Sequence, residues 1–162
     1  MKAPRARCCA EFSVPGVDAQ PEVEKNMPSK TALYTDKLRK AGLRPTRQRV
    51  ALAALLFGRG DRHMTAEGLH AEALQAGVTV SLATIYNTMH QFTRAGLLRD
   101  VTVDGARTYF DTNIGDHHHF YCEDDGTLMD IDGSAIAVAG VPPPPHGAKV
   151  DRVDVIVRLK RR

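Results

Sequence analysis

The sequence predicts an α+β fold, in which an N-terminal winged helix-turn-helix domain is followed by a small β-rich domain. Three observations lead to this prediction. Residues 29–96 contain four segments with helical apolar spacing, residues 97–131 contain two pairs of β-prone runs that are each joined by Asp-Gly, and residues 133–148 are rich in proline and small side chains. A chain of 162 residues is long enough for one good core or two small ones.

Each of the four predicted helices starts at a capping residue or a proline and stops at a glycine, as helix boundaries commonly do. Pro45 suits the first turn of the second helix. The predicted starts are Pro28-Ser29, Pro45-Thr46, Thr65 and Ser81, and the predicted stops are Gly42, Gly58, Gly77 and Gly96. The fourth helix shows an apolar stripe formed by Leu82, Ile85, Met89 and Phe92.

Two hairpins and one late strand are expected after the helices. Asp104-Gly105 joins the runs 97–103 and 106–110, and Asp125-Gly126 joins the runs 117–123 and 127–131. An Asp-Gly turn between β-prone runs is a strong hairpin signal. Four prolines at 142–145 indicate an extended connection, and apolar residues alternate from 153 to 159 as in a strand with one apolar face.

These elements divide the chain into a flexible arm at 1–28, a winged-helix domain at 29–111, a hinge at 112–116 and a second domain at 117–162. The arm mixes proline, glycine and charge without periodicity. The second domain is small and buries too little surface to be stable alone, so pairing with a second copy of the chain is expected.

The formal net charge of +3 conceals a strong segregation of charge along the chain. Residues 30–107 carry twelve Lys/Arg against six Asp/Glu, whereas residues 108–148 carry seven Asp/Glu and no Lys/Arg. A basic block beside an acidic one suggests polyanion binding in the first and cation binding in the second, although two solvated faces without a partner give the same pattern.

The chain lacks a run of 18 apolar residues, and its first 27 residues lack the apolar core of a signal peptide. We therefore expect a cytoplasmic protein that does not bind a membrane. Cys8, Cys9 and Cys122 form no C-x-x-C pair, which argues against a disulfide scaffold and against a cysteine-rich zinc site.

The predicted fourth helix has the position of a recognition helix, which places its N-terminal residues in the major groove of DNA. Asparagine pairs bidentately with adenine, threonine and tyrosine pack on thymine methyl groups or bind phosphate, and arginine holds the backbone or enters the minor groove. The residues expected to contact DNA are Arg44, Arg47, Arg49, Ser81, Thr84, Tyr86 and Asn87.

Three consecutive histidines, His117, His118 and His119, lie on a predicted strand just before Cys122. Imidazole and thiolate are the side chains that bind transition metals and haem iron. Because side chains alternate along a strand, His117 and His119 face one way and His118 faces the other. The pattern predicts a sensor of metal or haem beside the DNA-binding half.

Two imidazoles on one face of a strand can share a metal ion, and other side chains would complete its shell. Oxygen donors are available at Asp111, at Asp130, and at Glu123 or Asp124, and His63 can reach across from the first domain. A mixed nitrogen and carboxylate shell suits Fe(II), Mn(II) or Zn(II). A ligand set shared between domains would make the angle between them depend on the metal.

Several runs of the chain, in this order and spacing, together resemble the ferric uptake regulator family. These runs are Gly42–Arg49, His63–His70, Val80–Met89, Ala95–Leu97 and His117–Cys122, and the likeness covers about residues 30–160. The runs Tyr86–Phe92, Tyr109–Asn113 and His117–His119 look most like the iron response regulator branch of that family.

The resemblance implies a homodimeric winged-helix repressor that binds an AT-rich operator. By position, Tyr86 matches a tyrosine that contacts operator bases, and Arg44 matches a basic residue that enters the minor groove. The five-ligand regulatory metal site of the family is matched by His63, Asp111, His117, His119 and Asp130. In the iron response regulator branch the triple His117, His118 and His119 is associated with haem.

Some family features are absent from this sequence. The structural zinc site of the family uses two C-x-x-C pairs, whereas here Cys122 is followed by Asp125 at the matching place, so no four-cysteine zinc site is expected. Asn87 stands where an arginine is usual, a proline-rich connection replaces a long helix, and Cys9 is followed by Ala10 rather than by the proline of a haem-binding Cys-Pro.

The leading hypothesis is a metal- or haem-responsive repressor of iron or haem homeostasis genes, and the alternative within the same fold is a peroxide sensor with Fe or Mn at the five-ligand site. A metalloenzyme using the same histidines is the rival from another class. It lacks an obvious general base in a fixed pocket and leaves the basic helical half unexplained, so we expect a protein that is not an enzyme.

Overall fold

The computed structural model describes residues 29–103 and 107–160, so the arm predicted at 1–28 and the Asp104-Gly105 turn lie outside the described residues. Within them lie four helices and two three-stranded sheets, as in the predicted α+β fold, and every strand but one follows the last helix. The elements are α1 (Lys30–Lys40), α2 (Arg47–Phe57), β1 (His63–Met64), α3 (Ala66–Gln75), α4 (Leu82–Arg94), β2 (Arg99–Thr102), β3 (Thr108–Asp111), β4 (His117–Cys122), β5 (Thr127–Asp132), a 3₁₀ turn (Gly133–Ala135) and β6 (Ile156–Leu159).

A hydroxyl side chain caps the start of every helix in the described part of the chain. The caps are Ser29, Thr46, Thr65 and Ser81, and each accepts a hydrogen bond from a backbone N–H three residues later. Such a bond satisfies one of the N–H groups that a helix start leaves without an intrahelical partner. The prediction that Pro45 opens α2 is wrong, because Thr46 is extended (φ −111°, ψ 159°) and the helix begins after it.

The core of the first half lies between the four helices. α4 contributes Ile85, Met89 and Phe92, none of which is exposed, so the apolar stripe predicted on this helix is confirmed. The opposite side of the core comes from α1, α2 and α3, and includes Leu38, Leu52, Leu56 and Leu69. The packing leaves the N-terminal turns of α4 at the surface.

The first sheet has the strand order β1-β3-β2, and all of its pairings are antiparallel. β2 and β3 are the predicted wing hairpin, whereas β1 was not predicted as a strand. β1 has only two residues, His63 and Met64, which pair with Asp111 and Phe110. This short pairing brings a histidine from before α3 beside the carboxylate at the end of the wing.

The second sheet has the order β5-β4-β6, in which β4 pairs antiparallel with β5 and parallel with β6. The turn between β4 and β5 contains Gly126 at φ +70°, a conformation that glycine adopts without strain. β6 starts at Ile156 instead of the predicted Val153, and Asp154, just before it, forms an ion pair with Arg99. Residues 136–155 between the 3₁₀ turn and β6 form neither helix nor strand.

A second, smaller core joins the wing to this sheet. Val101, Val103 and Tyr109 of the wing pack against Tyr121 and Leu128 of the second sheet, and all five are buried. The two halves are therefore in direct apolar contact. No helix in the described ranges is long and apolar enough to cross a membrane.

Candidate metal centre

Five side chains converge where the wing meets the second sheet. They are His63, Asp111, His117, His119 and Asp130, and each offers one nitrogen or oxygen so that the five atoms lie within 4.8 Å of one another. Two ligands come from the N-terminal half, two from β4 and one from β5. The structure thus brings together all five residues that the resemblance to the ferric uptake regulator family implied.

Strand register accounts for the convergence. His63 lies directly opposite Asp111 in the β1–β3 pair, and His119 lies opposite Asp130 in the β4–β5 pair. His117 is two residues before His119 and shares its face of β4, as strand alternation predicts. Two antiparallel pairs, one from each half, therefore present their polar side chains to the same small volume.

The donor atoms lie about as close together as the ligands of one first-row metal ion. His117 Nε2 lies 2.7 Å from Asp111 Oδ2 and 3.1 Å from His119 Nε2, and His63 Nε2 lies 2.9 Å from Asp130 Oδ1. The Asp111–His119 and Asp111–His63 contacts are 3.4 Å and 3.5 Å. Two donors that are each about 2.1 Å from an ion lie about 3.0 Å apart at a right angle and about 4.2 Å apart on opposite sides.

Charge also favours a divalent cation at this place. Asp111 and His119 have no exposed surface, and an uncompensated buried carboxylate is costly. Burial by itself raises the pKa of Asp111, but the neighbouring His119 and His63 rings and the hydrogen bond from the backbone N–H of Asn113 outweigh it and hold that pKa below its usual value. The cluster contains two carboxylates, Asp111 and Asp130, and a divalent ion is a counter-charge of matching size for such a pair.

Two buried nitrogens in the cluster lack a hydrogen-bond partner. Across the described residues, His63 Nε2, His119 Nδ1 and Arg99 Nε are the buried side-chain polar atoms in this condition. His63 Nε2 lies near two carboxylate oxygens, but at angles that do not make hydrogen bonds. His63 Nε2 is thus a buried donor atom beside two carboxylates that it does not hydrogen-bond, which is expected of a ligand that shares an ion with them, so the residues present fit a metal.

The outer atoms of three ligands are held by residues 113–115. The backbone N–H and the side-chain amide of Asn113 donate to Asp111 Oδ1 and Asp130 Oδ2 at 2.8 Å and 2.9 Å. His117 Nδ1 lies 2.9 Å from the Gly115 carbonyl oxygen, which only accepts, and 3.2 Å from Arg99 Nη1, which only donates, so the bond to Gly115 forms in the tautomer in which Nδ1 carries the proton. The lone pair of His117 Nε2 is then free for a metal.

Arg99 links this arrangement to the segment before β6. Its guanidinium donates to the Gly115 carbonyl oxygen at 2.6 Å and to Asp154 Oδ1 at 2.6 Å. Arg152 holds the other oxygen of the Asp154 carboxylate at 2.7 Å. Neither Arg99 nor Asp154 was picked out as a site residue in the sequence, because they are 55 residues apart and no local pattern joins them.

His118 faces away from the five donors, as strand alternation predicts. It is buried, and its Nδ1 accepts a hydrogen bond from the Val155 N–H at 3.4 Å. His118 lines an open cavity of about 890 Å³ on the other side of β4. Apolar side chains and charged groups line the rest of the cavity, including Ile114, Val138, Val141, Arg99, Asp116 and Arg152.

The other oxygen donors considered in the sequence do not join the cluster. Glu123 forms ion pairs with Arg158 at 3.5 Å and Lys160 at 3.3 Å. Asp124 lies in the β4–β5 turn, where it is exposed and outside the five-donor cluster. Cys122 is buried and pairs in register with Thr127 across the β4–β5 ladder. Of the acidic residues considered, only Asp111 and Asp130 therefore lie in the five-residue cluster of the described structure.

The residues predicted to contact DNA lie on or near the exposed start of α4 and the start of α2. Arg44, Arg47, Tyr86 and Asn87 are exposed. Ser81 and Thr84 are joined by the cap of α4, with their hydroxyl oxygens 2.8 Å apart. The Arg49 side chain makes hydrogen bonds within the domain, because it donates to the Arg44 carbonyl oxygen and to Gln91 Oε1 of α4.

Tyr86 has a specific partner on α3. Its hydroxyl donates to Glu67 Oε1 at 2.6 Å, and this bond lowers the pKa of Glu67 and raises the pKa of Tyr86. The phenol therefore lies at the surface with its proton held by a carboxylate. Glu67 was not predicted as part of this surface, although its position in the first turn of α3 is favourable for an acidic residue.

Comparison with known proteins agrees with the arrangement of both halves. Residues 40–152 match the ferric uptake regulator family. The chain is 38% identical over 96 residues to the ferric uptake regulation protein of Pseudomonas aeruginosa, covering 59% of this chain and 72% of that protein. It is 34% identical over 94 residues to the peroxide-responsive repressor PerR of Staphylococcus epidermidis, covering 58% of this chain and 62% of that protein.

A solved structure supports the same relationship over more of the chain. The ferric uptake regulator from Pseudomonas aeruginosa with manganese is 28% identical and superposes with a TM-score of 0.62, covering 80% of this chain and 98% of that one. The predicted α+β fold is thus confirmed. The chain belongs to the ferric uptake regulator family, whose members are metal-responsive, DNA-binding transcription regulators and not enzymes.

Proposed function

We propose that this chain is a metal-responsive repressor that binds operator DNA through α4 and is controlled by a divalent ion between its two halves. The observation that carries the proposal is the convergence of five nitrogen and oxygen donors, taken from both halves, within 4.8 Å of one another. Three of the five residues are buried, and gathering two carboxylates with three imidazoles at such a place is costly without a cation to join them.

The donor set suits Fe(II), Mn(II) or Zn(II), because imidazole and carboxylate are ligands that all three accept. A bound ion supplies positive charge that balances Asp111 and Asp130. The chain supplies the geometry, since His63 and Asp111 belong to the N-terminal half whereas His117, His119 and Asp130 belong to the second sheet. Loading therefore favours one relative orientation of the halves, and through it one spacing of two recognition helices.

DNA binding is assigned to Arg44, Arg47, Arg49, Ser81, Thr84, Tyr86 and Asn87 at the start of α2 and α4. In a helix-turn-helix protein the recognition helix lies in the major groove, and a dimer reads two half-sites. We infer a homodimer on an AT-rich operator, acting in the cytoplasm where the chromosome is. Arg49 already binds Gln91, so it acts by holding α2 against α4 as well as by its charge.

The metal proposal is tested by operator binding with Mn(II) and with Fe(II) in the absence of oxygen, for the wild type, His117→Ala and His118→Ala. We expect metal to change operator affinity of the wild type and of His118→Ala, and to have no effect on His117→Ala. A strong dependence on salt concentration should accompany DNA binding. Identical responses of the wild type and His117→Ala to metal would contradict the proposal.

Haem is the second ligand that we propose, and the targets would then be iron and haem homeostasis genes, as in the iron response regulator branch. The supporting observation is that His118 faces an open cavity of about 890 Å³ with an apolar and charged lining, away from the five donors. Imidazole is a common axial ligand of haem iron. Haem titration should give a Soret band for the wild type that is lost in His118→Ala, whereas Mn(II) binding survives. An unchanged band would refute the role of His118.

Peroxide sensing is the alternative use of the same centre. The similarity to PerR and the presence of aspartate at both carboxylate positions favour it. With Fe(II) bound, one oxygen of hydrogen peroxide would be transferred to a carbon of a ligand imidazole, and the other oxygen would leave as water. Mass spectrometry after peroxide treatment should then find one added oxygen on His63, His117 or His119, and only in protein loaded with Fe(II). Unmodified histidines would exclude this use.

A further inference from the structure

Asn113 lies in the segment that joins the two halves and contacts a carboxylate ligand from each of them. Its backbone N–H donates to Asp111 Oδ1 at 2.8 Å, and its side-chain Nδ2 donates to Asp130 Oδ2 at 2.9 Å. Asp111 ends β3 of the wing, whereas Asp130 lies in β5 of the second sheet. One residue therefore connects acids that belong to different sheets.

Both hydrogen bonds go to the oxygens that point away from the histidines. The opposite oxygens, Asp111 Oδ2 and Asp130 Oδ1, are the ones that lie near His63 Nε2, at 3.5 Å and 2.9 Å. A carboxylate with one oxygen fixed by a donor has its other oxygen aimed in a fixed direction. Asn113 thus selects which oxygen of each acid faces the imidazoles.

The orientation of the Asn113 side chain is itself fixed. Its Oδ1 accepts a hydrogen bond from the Gly115 N–H at 3.0 Å, which leaves Nδ2 to face Asp130. The Gly115 carbonyl oxygen in turn lies 2.9 Å from His117 Nδ1. The turn at 113–115 therefore contacts three of the five donor residues through atoms that do not face the centre.

We propose that Asn113 is a positioning residue of the metal centre, which orients Asp111 and Asp130 toward the ion and ties metal binding to the segment between the two halves. The inference rests on the proposed function insofar as it takes the five donors as ligands. Outer contacts of this kind change metal affinity by about 10- to 100-fold when they are removed.

The test uses Asn113→Ala and Asn113→Asp, with Ser134→Ala as a matched control. Ser134 also donates from its side chain to an aspartate two residues away, Asp132, but that acid is exposed and outside the cluster. The Asn113→Asp variant keeps the shape and the oxygen that binds Gly115, so it preserves the turn while it replaces the donor to Asp130 by a negative group. Co(II) absorption and Mn(II) calorimetry give the affinities, and melting without metal checks the fold.

We expect Asn113→Ala to weaken Mn(II) and Co(II) binding about 10-fold, Asn113→Asp to weaken it more, and Ser134→Ala to leave it unchanged. The Co(II) spectrum should also change shape in both Asn113 variants, because Asp130 would coordinate differently. In an Asp130→Ala background, Asn113→Ala should lose most of its effect, since its side chain acts through that acid.

Equal losses in the wild-type and Asp130→Ala backgrounds would overturn the inference, as would an unchanged affinity and spectrum in both Asn113 variants. These outcomes leave the proposed function standing, because the wild type still binds metal. If the wild type itself binds neither Mn(II) nor Co(II) in stoichiometric amount, both the proposed function and the role of Asn113 are refuted.

Discussion

The metal centre and the start of the recognition helix are both polar, but they are held in opposite ways. In the metal centre, Asp111 and His119 have no exposed surface, and neighbouring backbone and amide groups fix the ligands from outside. On the recognition helix, Tyr86 is 36% exposed and its proton is held by Glu67. The centre is prepared before its ligand arrives, whereas the helix surface has to exchange existing partners for DNA.

This contrast predicts where substitutions have large effects. A prepared, desolvated site loses much of its affinity when one group changes, because its electrostatic interactions are weakly screened and its geometry has no substitute. An exposed surface replaces lost contacts with water, so single changes there cost less. The following predictions test this contrast, from the largest expected effect to the smallest.

Asp111→Asn should weaken Mn(II) binding by about 100-fold or more, because it removes a charge from a fully buried donor while it keeps the shape of the side chain. Calorimetric titration measures the effect. Asp132→Asn is the matched control, since Asp132 is an exposed acid of the neighbouring strand, opposite His117 in register but outside the cluster. Comparable losses in both variants would mean that general negative charge, and not the fixed donor, attracts the ion.

Arg99→Gln should lower the free energy of unfolding of the metal-free protein by about 2–3 kcal/mol, because it breaks a nearly buried ion pair and leaves the Gly115 carbonyl with one donor fewer. Urea denaturation gives the value. Arg152→Gln removes the more exposed partner of the same Asp154 carboxylate and should cost under about 1 kcal/mol. If the two variants are equally stable, burial does not distinguish the two contacts.

Asn87→Ala should weaken operator binding by about 1–2 kcal/mol and relax the preference at one base pair, because an exposed asparagine on this helix suits adenine. Arg47→Gln should weaken binding evenly across sequences and reduce the salt slope by about 1. Mobility shifts at several salt concentrations separate the two effects. A sequence-independent loss in Asn87→Ala would assign that residue to the DNA backbone.

Tyr86→Phe should raise the pKa of Glu67 toward its usual value, because the Tyr86 hydroxyl is the main cause of its lowering. A carboxyl whose pKa is lower in the folded state adds stability above its unfolded pKa, and loses it as the pH falls through the folded pKa. The variant should therefore lose this contribution at pH values above the unfolded pKa, and side-chain NMR titration should show the raised pKa of Glu67. An unshifted Glu67 resonance would show that the hydroxyl bond does not form in solution.

Much of this structure could be predicted from the sequence wherever the signals are local. Capping hydroxyls located all four helix starts, although Pro45 lies before the cap of α2 and not in its first turn, and strand alternation separated His118 from His117 and His119. The contacts that complete the centre are not local. β1 is a two-residue strand, too short for any periodic pattern, and Arg99 reaches Asp154 across 55 positions because β6 returns parallel to β4.

Asn113 illustrates the same limit at short range. Its position two residues after Asp111 is visible in the sequence, but its bond to Asp130 depends on how the second sheet docks against the wing. Family resemblance supplied the ligand set as residues, without the groups that orient them. The contacts that orient the ligands can be identified only once the positions of both sheets are known.

The apolar cluster of Val101, Val103, Tyr109, Tyr121 and Leu128 makes each half of the protein depend on the other. A fragment that ends after the wing would expose three large side chains, and one that begins at β4 would expose two, so each is prone to aggregate. We therefore expect the two halves to unfold together in a single transition. A different second sheet could replace this one only if the wing changed to match it. The DNA-binding half and the half that contains the second sheet are therefore expected to evolve together.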